Sequence, residues 1–143
     1  MKRSKKLASG YRSKFEERTA AQLKKEKIKF LYEVSAFIYY LKVSGTCNIC
    51  GGTDVQAAHL YTPDFKMSNL WIETKGKFTS KDRTKMIAVK EQHTKLDVRL
   101  LFMANNKLFP KSKTRYLDWA EQHGYKAAVG VIPKEWIKEL KSR

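Results

Sequence analysis

Residues 61–76 constrain this chain more than any other stretch. They read Tyr61-Thr62-Pro63-Asp64-Phe65, a short spacer, then Trp71-Ile72-Glu73-Thr74-Lys75-Gly76. Side chains of a strand alternate between two faces. An extended Leu70–Lys75 therefore sends Leu70, Ile72 and Thr74 one way, and Trp71, Glu73 and Lys75 the other. Glu73 and Lys75 then stand side by side. Asp64, at the end of a preceding strand, can reach the same place. Two carboxylates hold a hard divalent cation through oxygen ligands. A lysine beside them orients a water or stabilises a charged phosphorus centre. Those are the parts for metal-assisted phosphodiester hydrolysis. Taken singly, each part has a plainer explanation. Pro-Asp is common turn chemistry, and an exposed Glu–Lys pair contributes only about 0–1 kcal/mol. The joint spacing favours ligation.

Charge supplies the substrate class. Of 143 residues, 30 are Lys or Arg and 14 are Asp or Glu, a net charge of +16. That excess calls for a polyanionic partner, and nucleic acid fits because each neutralised phosphate releases counterions. A hydrophobic content of 42% supports one packed domain. No apolar run approaches the roughly 20 residues of a membrane span. Lys2, Arg3, Lys5 and Lys6 resemble a secretory n-region, but Leu7–Lys14 is not an apolar core, so no export signal or membrane partner is expected.

The expected organisation is a basic arm over residues 1–12, then a single α/β domain over 13–143 with a central mixed sheet flanked by helices. Ser13 with Glu16 forms a capping box opening a helix. Ile28–Val34 alternates as a strand, and Ala36–Val43 is a second, more aromatic one. Val55–Tyr61 leads to Asp64, and Asn69–Lys75 follows. Ser80 caps a helix to Gln92, with Met86 and Val89 inward. Asp97–Met103 is a further strand. Thr114 caps a helix ending before Gly124, and Ile132-Pro133 opens the last helix. Lys2, Arg3, Lys5, Lys6, Arg12, Ser13, Arg83 and Lys85 are the candidate DNA contacts.

Cys47-Asn48-Ile49-Cys50-Gly51-Gly52 forms a knuckle, with His59 downstream. C-x-x-C without an export signal points to a reducing compartment and to metal or redox chemistry rather than a structural disulfide. Cys47, Cys50 and His59 are candidate ligands of a structural Zn²⁺. A fourth ligand is open among Asp54, His93 and a second copy of the chain. A hairpin with two buried thiols is the alternative.

Pro63-Asp64 followed by Glu73-Thr74-Lys75 resembles the PD-(D/E)xK nuclease core. Further stretches, in order, resemble the phage endonuclease I family of Holliday-junction resolvases. They are Tyr11-Arg12-Ser13 with Glu16; Ile28-Lys29-Phe30 with Tyr32-Glu33; Tyr61–Phe65; Glu73–Gly76; Asp82-Arg83 with Lys85; and Glu91-Gln92-His93 with Leu96-Asp97 and Arg99. His123-Gly124, Ile132-Pro133 and Glu135–Glu139 complete the set. The resemblance implies a restriction-endonuclease-like fold and a homodimer with exchanged strands, the exchange falling within Val34–Val43. It implies active sites combining Glu16 of one chain with Asp64, Glu73 and Lys75 of the other. It also implies Mg²⁺ or Mn²⁺, two ions per site, held by Asp64, Glu73, the Thr74 carbonyl and Glu16. Branched DNA, the four-way junction above all, would be the substrate, and the cytoplasm of an infected bacterium the location. The cysteine knuckle departs from that pattern.

Two other functions remain in play. Cys47-x-x-Cys50-Gly51 followed by Ala58-His59-Leu60 resembles the front of an HNH nuclease, for which His59→Ala would abolish cleavage and Asp64→Ala would not. A non-catalytic zinc-knuckle DNA-binding module would bind DNA without cutting it.

Overall fold

The computed structural model describes residues 4–143; the candidate contacts Lys2 and Arg3 lie outside the described residues. The chain runs through α1 (Lys14–Lys25), β1 (Leu31–Tyr32), β2 (Phe37–Lys42), β3 (Gln56–Tyr61), β4 (Phe65–Met67), β5 (Leu70–Lys75), α2 (Ser80–Gln92), β6 (Asp97–Phe102), α3 (Tyr116–Gln122), β7 (Ala127–Val129) and α4 (Lys134–Lys141). The main sheet has the order β1-β4-β5-β6-β7; β2 and β3 form a separate two-stranded sheet. β1, β4 and β5 pair antiparallel, while β5, β6 and β7 run parallel. Parallel neighbours need a crossover, and α2 supplies it between β5 and β6.

Helices cover both faces of this mixed sheet. On one face Trp71, Val98, Leu100 and Phe102 pack with Met86 and Val89 of α2 and Trp119 and Ala120 of α3. On the other Phe65, Met67, Leu70, Ile72 and Leu101 pack with Phe15 and Leu23 of α1 and Trp136 and Ile137 of α4. The period-two reading of β5 therefore holds: Leu70 and Ile72 enter one core, Trp71 the other. Arg99 is 1% exposed yet lies on β6. It bonds Asp97 and Glu139 at 2.8–3.1 Å, so its charge is fully paired where burial demands it.

Several boundaries differ from expectation. The strand foreseen over Ile28–Val34 shrinks to two residues. Glu33 takes a left-handed φ of 49° and ends it. β4 was not foreseen; a two-residue turn at Ser68-Asn69, with Ser68 at φ 54°, folds it against β5. β7 is too short to leave a periodic signature. Thr79, not Ser80, caps α2. It makes a reciprocal capping box with Asp82. Arg115, not Thr114, is the α3 cap residue, and Pro133 caps α4. Ser13 caps α1 by accepting from the Glu16 amide. The Glu16 carboxylate does not return the bond; it accepts from the Arg12 amide instead.

The β2–β3 pair is docked by the end of α2. Gln92 Nε2 donates to the Tyr40 carbonyl and Gln92 Oε1 accepts from the Tyr40 amide, both at 2.8 Å. His93 Nε2 lies 2.7 Å from the Ile38 carbonyl. Among the described residues no helix is long and apolar enough to cross a membrane.

Candidate active site

β5 and the turn before β4 bring two acids together. Asp64 is 8% exposed and Glu73 4%. Asp64 Oδ2 accepts from the Thr74 amide at 2.8 Å and the Thr74 hydroxyl at 2.6 Å. Both bonds land on one oxygen and leave Oδ1 available. Glu73 Oε2 accepts from the buried Tyr61 hydroxyl at 3.1 Å. Burial, then the neighbouring Glu73 charge, pushes the Asp64 carboxyl well above its ordinary range despite the Thr74 donors. The Glu73 charge beside it is thus a cost that Asp64 carries.

Lys75 sits at the lip of this pair. Its Nζ lies 3.3 Å from Glu73 Oε1 and 3.2 Å from Asp82 Oδ1. Burial alone would lower its affinity for a proton. The charges of Glu73 and Asp82, with the Asp82 hydrogen bond, override that and raise it, so Lys75 stays an ammonium. Asp82 is held in turn by the α2 cap, since its Oδ2 accepts from the Thr79 amide and hydroxyl, each at 2.9 Å. Lys85, one turn along α2, lies over the Tyr61 ring at 5.2 Å. Burial lowers its proton affinity, against the pull of Glu73. It faces the site, not open solvent as a surface residue of α2 would.

α1 contributes Glu16 from the other side. Its Oε2 accepts from the Tyr32 hydroxyl at 2.7 Å and the Arg12 amide at 2.8 Å. Its charge adds to those raising Asp64. The single chain thus brings Asp64, Glu73 and Lys75 together, with Glu16 near enough for its charge to act on Asp64. Of the other expected contacts, Arg12 is clamped to Glu33, with Nε 2.6 Å from Oε1. Lys6 lies 3.8 Å from Glu33, Lys5 is exposed, and Arg83 donates to the Phe78 carbonyl at 2.7 Å. The Ser13 hydroxyl is engaged in capping.

The donor set suits a hard divalent ion. It is all oxygen, it is desolvated, and the mutual repulsion of Asp64 and its neighbours is what a cation would relieve. Among the described residues no three His, Cys, Asp or Glu side chains already converge as a metal cage. Cys47 and Cys50 are neighbouring free thiols. His59 is apart from them, in β3, stacked on Tyr39 with ring centroids 5.3 Å apart. Trp71 is a core residue.

Sequence reasoning missed Tyr61 and Asp82 as parts of the site. The signal for Asp82 was present: Thr79-x-x-Asp82 is a capping box, which places that acid on the first turn of α2, directly after the β5 lysine. Tyr61 reads from sequence only as a buried aromatic.

The sequence matches the phage endonuclease I family over residues 1–143. Endonuclease I of Escherichia phage T7 is 39% identical over 133 residues, which is 92% of this chain and 80% of that protein. Endodeoxyribonuclease 1 of Enterobacteria phage T3 is also 39% identical over 133 residues, 92% of this chain and 79% of that one. A buried carboxylate pair beside a charged lysine, on a strand of a mixed sheet in a strongly basic chain, agrees with these likenesses: the chain belongs to the phage endonuclease I family and is a nuclease.

Proposed function

We propose that this nuclease resolves branched DNA, four-way junctions foremost, by divalent-metal-dependent phosphodiester hydrolysis at Glu16, Asp64, Glu73 and Lys75. The observation that carries the reading is the pairing of two desolvated carboxylates with the ammonium of Lys75 beside them. Asp64, Glu73 and the Thr74 carbonyl would hold one Mg²⁺ or Mn²⁺, and Glu16 would help hold a second. Bound divalent ions supply Lewis acidity and charge neutralisation to the phosphodiester.

The chain's own residues do the rest. Thr74 fixes Asp64 through Oδ2. Tyr61 fixes Glu73 through Oε2. Each acid therefore keeps an oxygen directed elsewhere. Lys75 Nζ, 3.3 Å from Glu73 Oε1, is placed as a donor: it orients the attacking water and stabilises negative charge developing at phosphorus. Lys5, Lys6, Arg12, Arg83 and Lys85, with Lys2 and Arg3 of the arm, supply the phosphate contacts that position DNA. Selectivity for a branch comes from shape, through two basic surfaces on a homodimer. Exposed Ile38, Tyr40 and Leu60 on the β2–β3 sheet support an exchange of strands between two copies there.

The test is cleavage of a synthetic four-way junction and a sequence-matched linear duplex, with and without Mg²⁺. Wild type, Asp64→Ala and His59→Ala are compared. The proposal expects Mg²⁺-dependent cutting of the junction by wild type and His59→Ala, and none by Asp64→Ala. An uncut junction in Mg²⁺ sinks it. Cutting by Asp64→Ala but not His59→Ala would transfer the chemistry to the Cys47–His59 region. Light scattering of the free protein tests the dimer, and a mass of one chain would reject it.

A further inference from the structure

The connection between β2 and β3 carries a second constructed site, far from the carboxylates. Both cysteines are free thiols. The Cys47 amide donates to the Gly52 carbonyl at 2.7 Å, and the Gly51 amide to the Cys47 carbonyl at 2.9 Å, closing a tight turn around the pair. Gly51 has φ +69°, a conformation that side chains resist. A Cβ added at Gly52 would stand 3.3 Å from Cys50 Sγ, so glycine there leaves the sulfur open. The C-x-x-C spacing of Cys47 and Cys50 on that turn is the spacing of zinc knuckles. Soft thiolates at this spacing select Zn²⁺, which takes four ligands in a tetrahedron.

This chain supplies only two of the four. His59 lies four residues into the hairpin from the Val43–Val55 bond, about 13 Å at strand rise, and its ring is stacked on Tyr39. His93 is occupied at the Ile38 carbonyl. Asp54 is exposed and lies 3.9 Å from Lys42. Among the described residues no third His, Cys, Asp or Glu joins the pair. The turn itself projects outward, with Ile49 98% exposed. A second copy of this chain would bring the same two thiolates on the same projection, and a two-fold arrangement of the two turns would close the tetrahedron.

We propose that Cys47 and Cys50 form half of a zinc site that two copies of this chain complete together, four thiolates around one Zn²⁺. On binding, four S–H bonds break and four Zn–S bonds form, the four protons pass to solvent, and no oxidation state changes. The proposal does not rest on the active-site reading. Its test is the zinc content of protein purified without chelator from zinc-supplemented medium. One ion per two chains is expected. Cys47→Ser and Cys50→Ser should each lose at least about tenfold in bound zinc, while Asp64→Ala keeps it.

Titration of the metal-free wild type with Co²⁺ gives a second reading that needs no variant. Intense tetrahedral-thiolate absorption should saturate at one Co²⁺ per two chains. Saturation at one per chain, zinc retained by either serine variant, or no zinc with the two thiols reactive or joined as a disulfide would each overturn the proposal.

Discussion

Replacing Asp64 by Asn should destroy activity and make the metal-free protein more stable. Asp64 is buried, its carboxyl is pushed up by burial and by Glu73, and among the described residues its only donors come from Thr74. Asn keeps the shape and an oxygen for the Thr74 amide. What changes is the charge. Loss of a charge-assisted bond costs about 1 kcal/mol, the difference between charged and neutral hydrogen bonds. Relief of a buried, repelled charge returns several kcal/mol. The balance is a gain of about 1–3 kcal/mol. For a domain this size that raises Tm by roughly 2–10 °C.

The pH dependence follows from the same sign. A carboxyl whose folded pKa is raised binds more protons in the folded state. Below its ordinary 3.8 it costs nothing. The cost grows as pH rises from there through the folded pKa, then stays constant. Asp64→Asn should lose that slope. Mg²⁺ should distinguish the two proteins: at one hundred times its Kd it stabilises wild type by about 2.7 kcal/mol and leaves the variant unmoved. Urea unfolding in EDTA and in Mg²⁺, from pH 4 upward, reads all of this. If Asp64→Asn is less stable than wild type in EDTA, Asp64 is a turn residue held for structure, and the carboxylate-pair reasoning fails.

Other outcomes follow from the same geometry. Lys75→Gln should cut a four-way junction at least about a hundredfold more slowly under single-turnover conditions, the scale of a lost electrostatic donor, with gel-shift affinity for the junction little changed. Leu101→Ala, at a fully buried position between the sheet and α1/α4, should cost about 2–5 kcal/mol in urea unfolding with an unchanged m-value. The Arg99 hydrogen bond, and then its charge, holds the Glu139 carboxyl down to about 2. Its contribution is therefore full above 4.5 and lost as pH falls through about 2. Acid unfolding of Arg99→Met should lack that component.

The sheet strand that carries the site was legible because one residue type alternates with another. Leu70 and Ile72 are apolar on one face, and Glu73 and Lys75 charged on the other, so the period alone placed them. Glu16 was legible only through likeness to a family. A capping box explains a glutamate there equally well, and only the fold shows its carboxylate turned to Arg12 and Tyr32. β4 escaped because three residues carry no period. Its existence depends on the Ser68 turn and on Ile72 and Trp71 as pairing partners. Asp82 and Tyr61 escaped for a different reason: their roles are set by which side chain of a distant element they meet. Lys85 was read as a DNA contact from its charge; its position over the Tyr61 ring, which turns it toward the site, is visible only in the fold.

The most direct measurement is Mn²⁺ binding by electron paramagnetic resonance, on wild type, Glu73→Gln and Cys47→Ser, with junction cleavage in Mn²⁺ measured on the same samples. The account predicts that Glu73→Gln loses both Mn²⁺ binding and cleavage, while Cys47→Ser retains Mn²⁺ binding at the carboxylates. A Glu73→Gln protein that binds Mn²⁺ and cuts the junction as wild type does would contradict it.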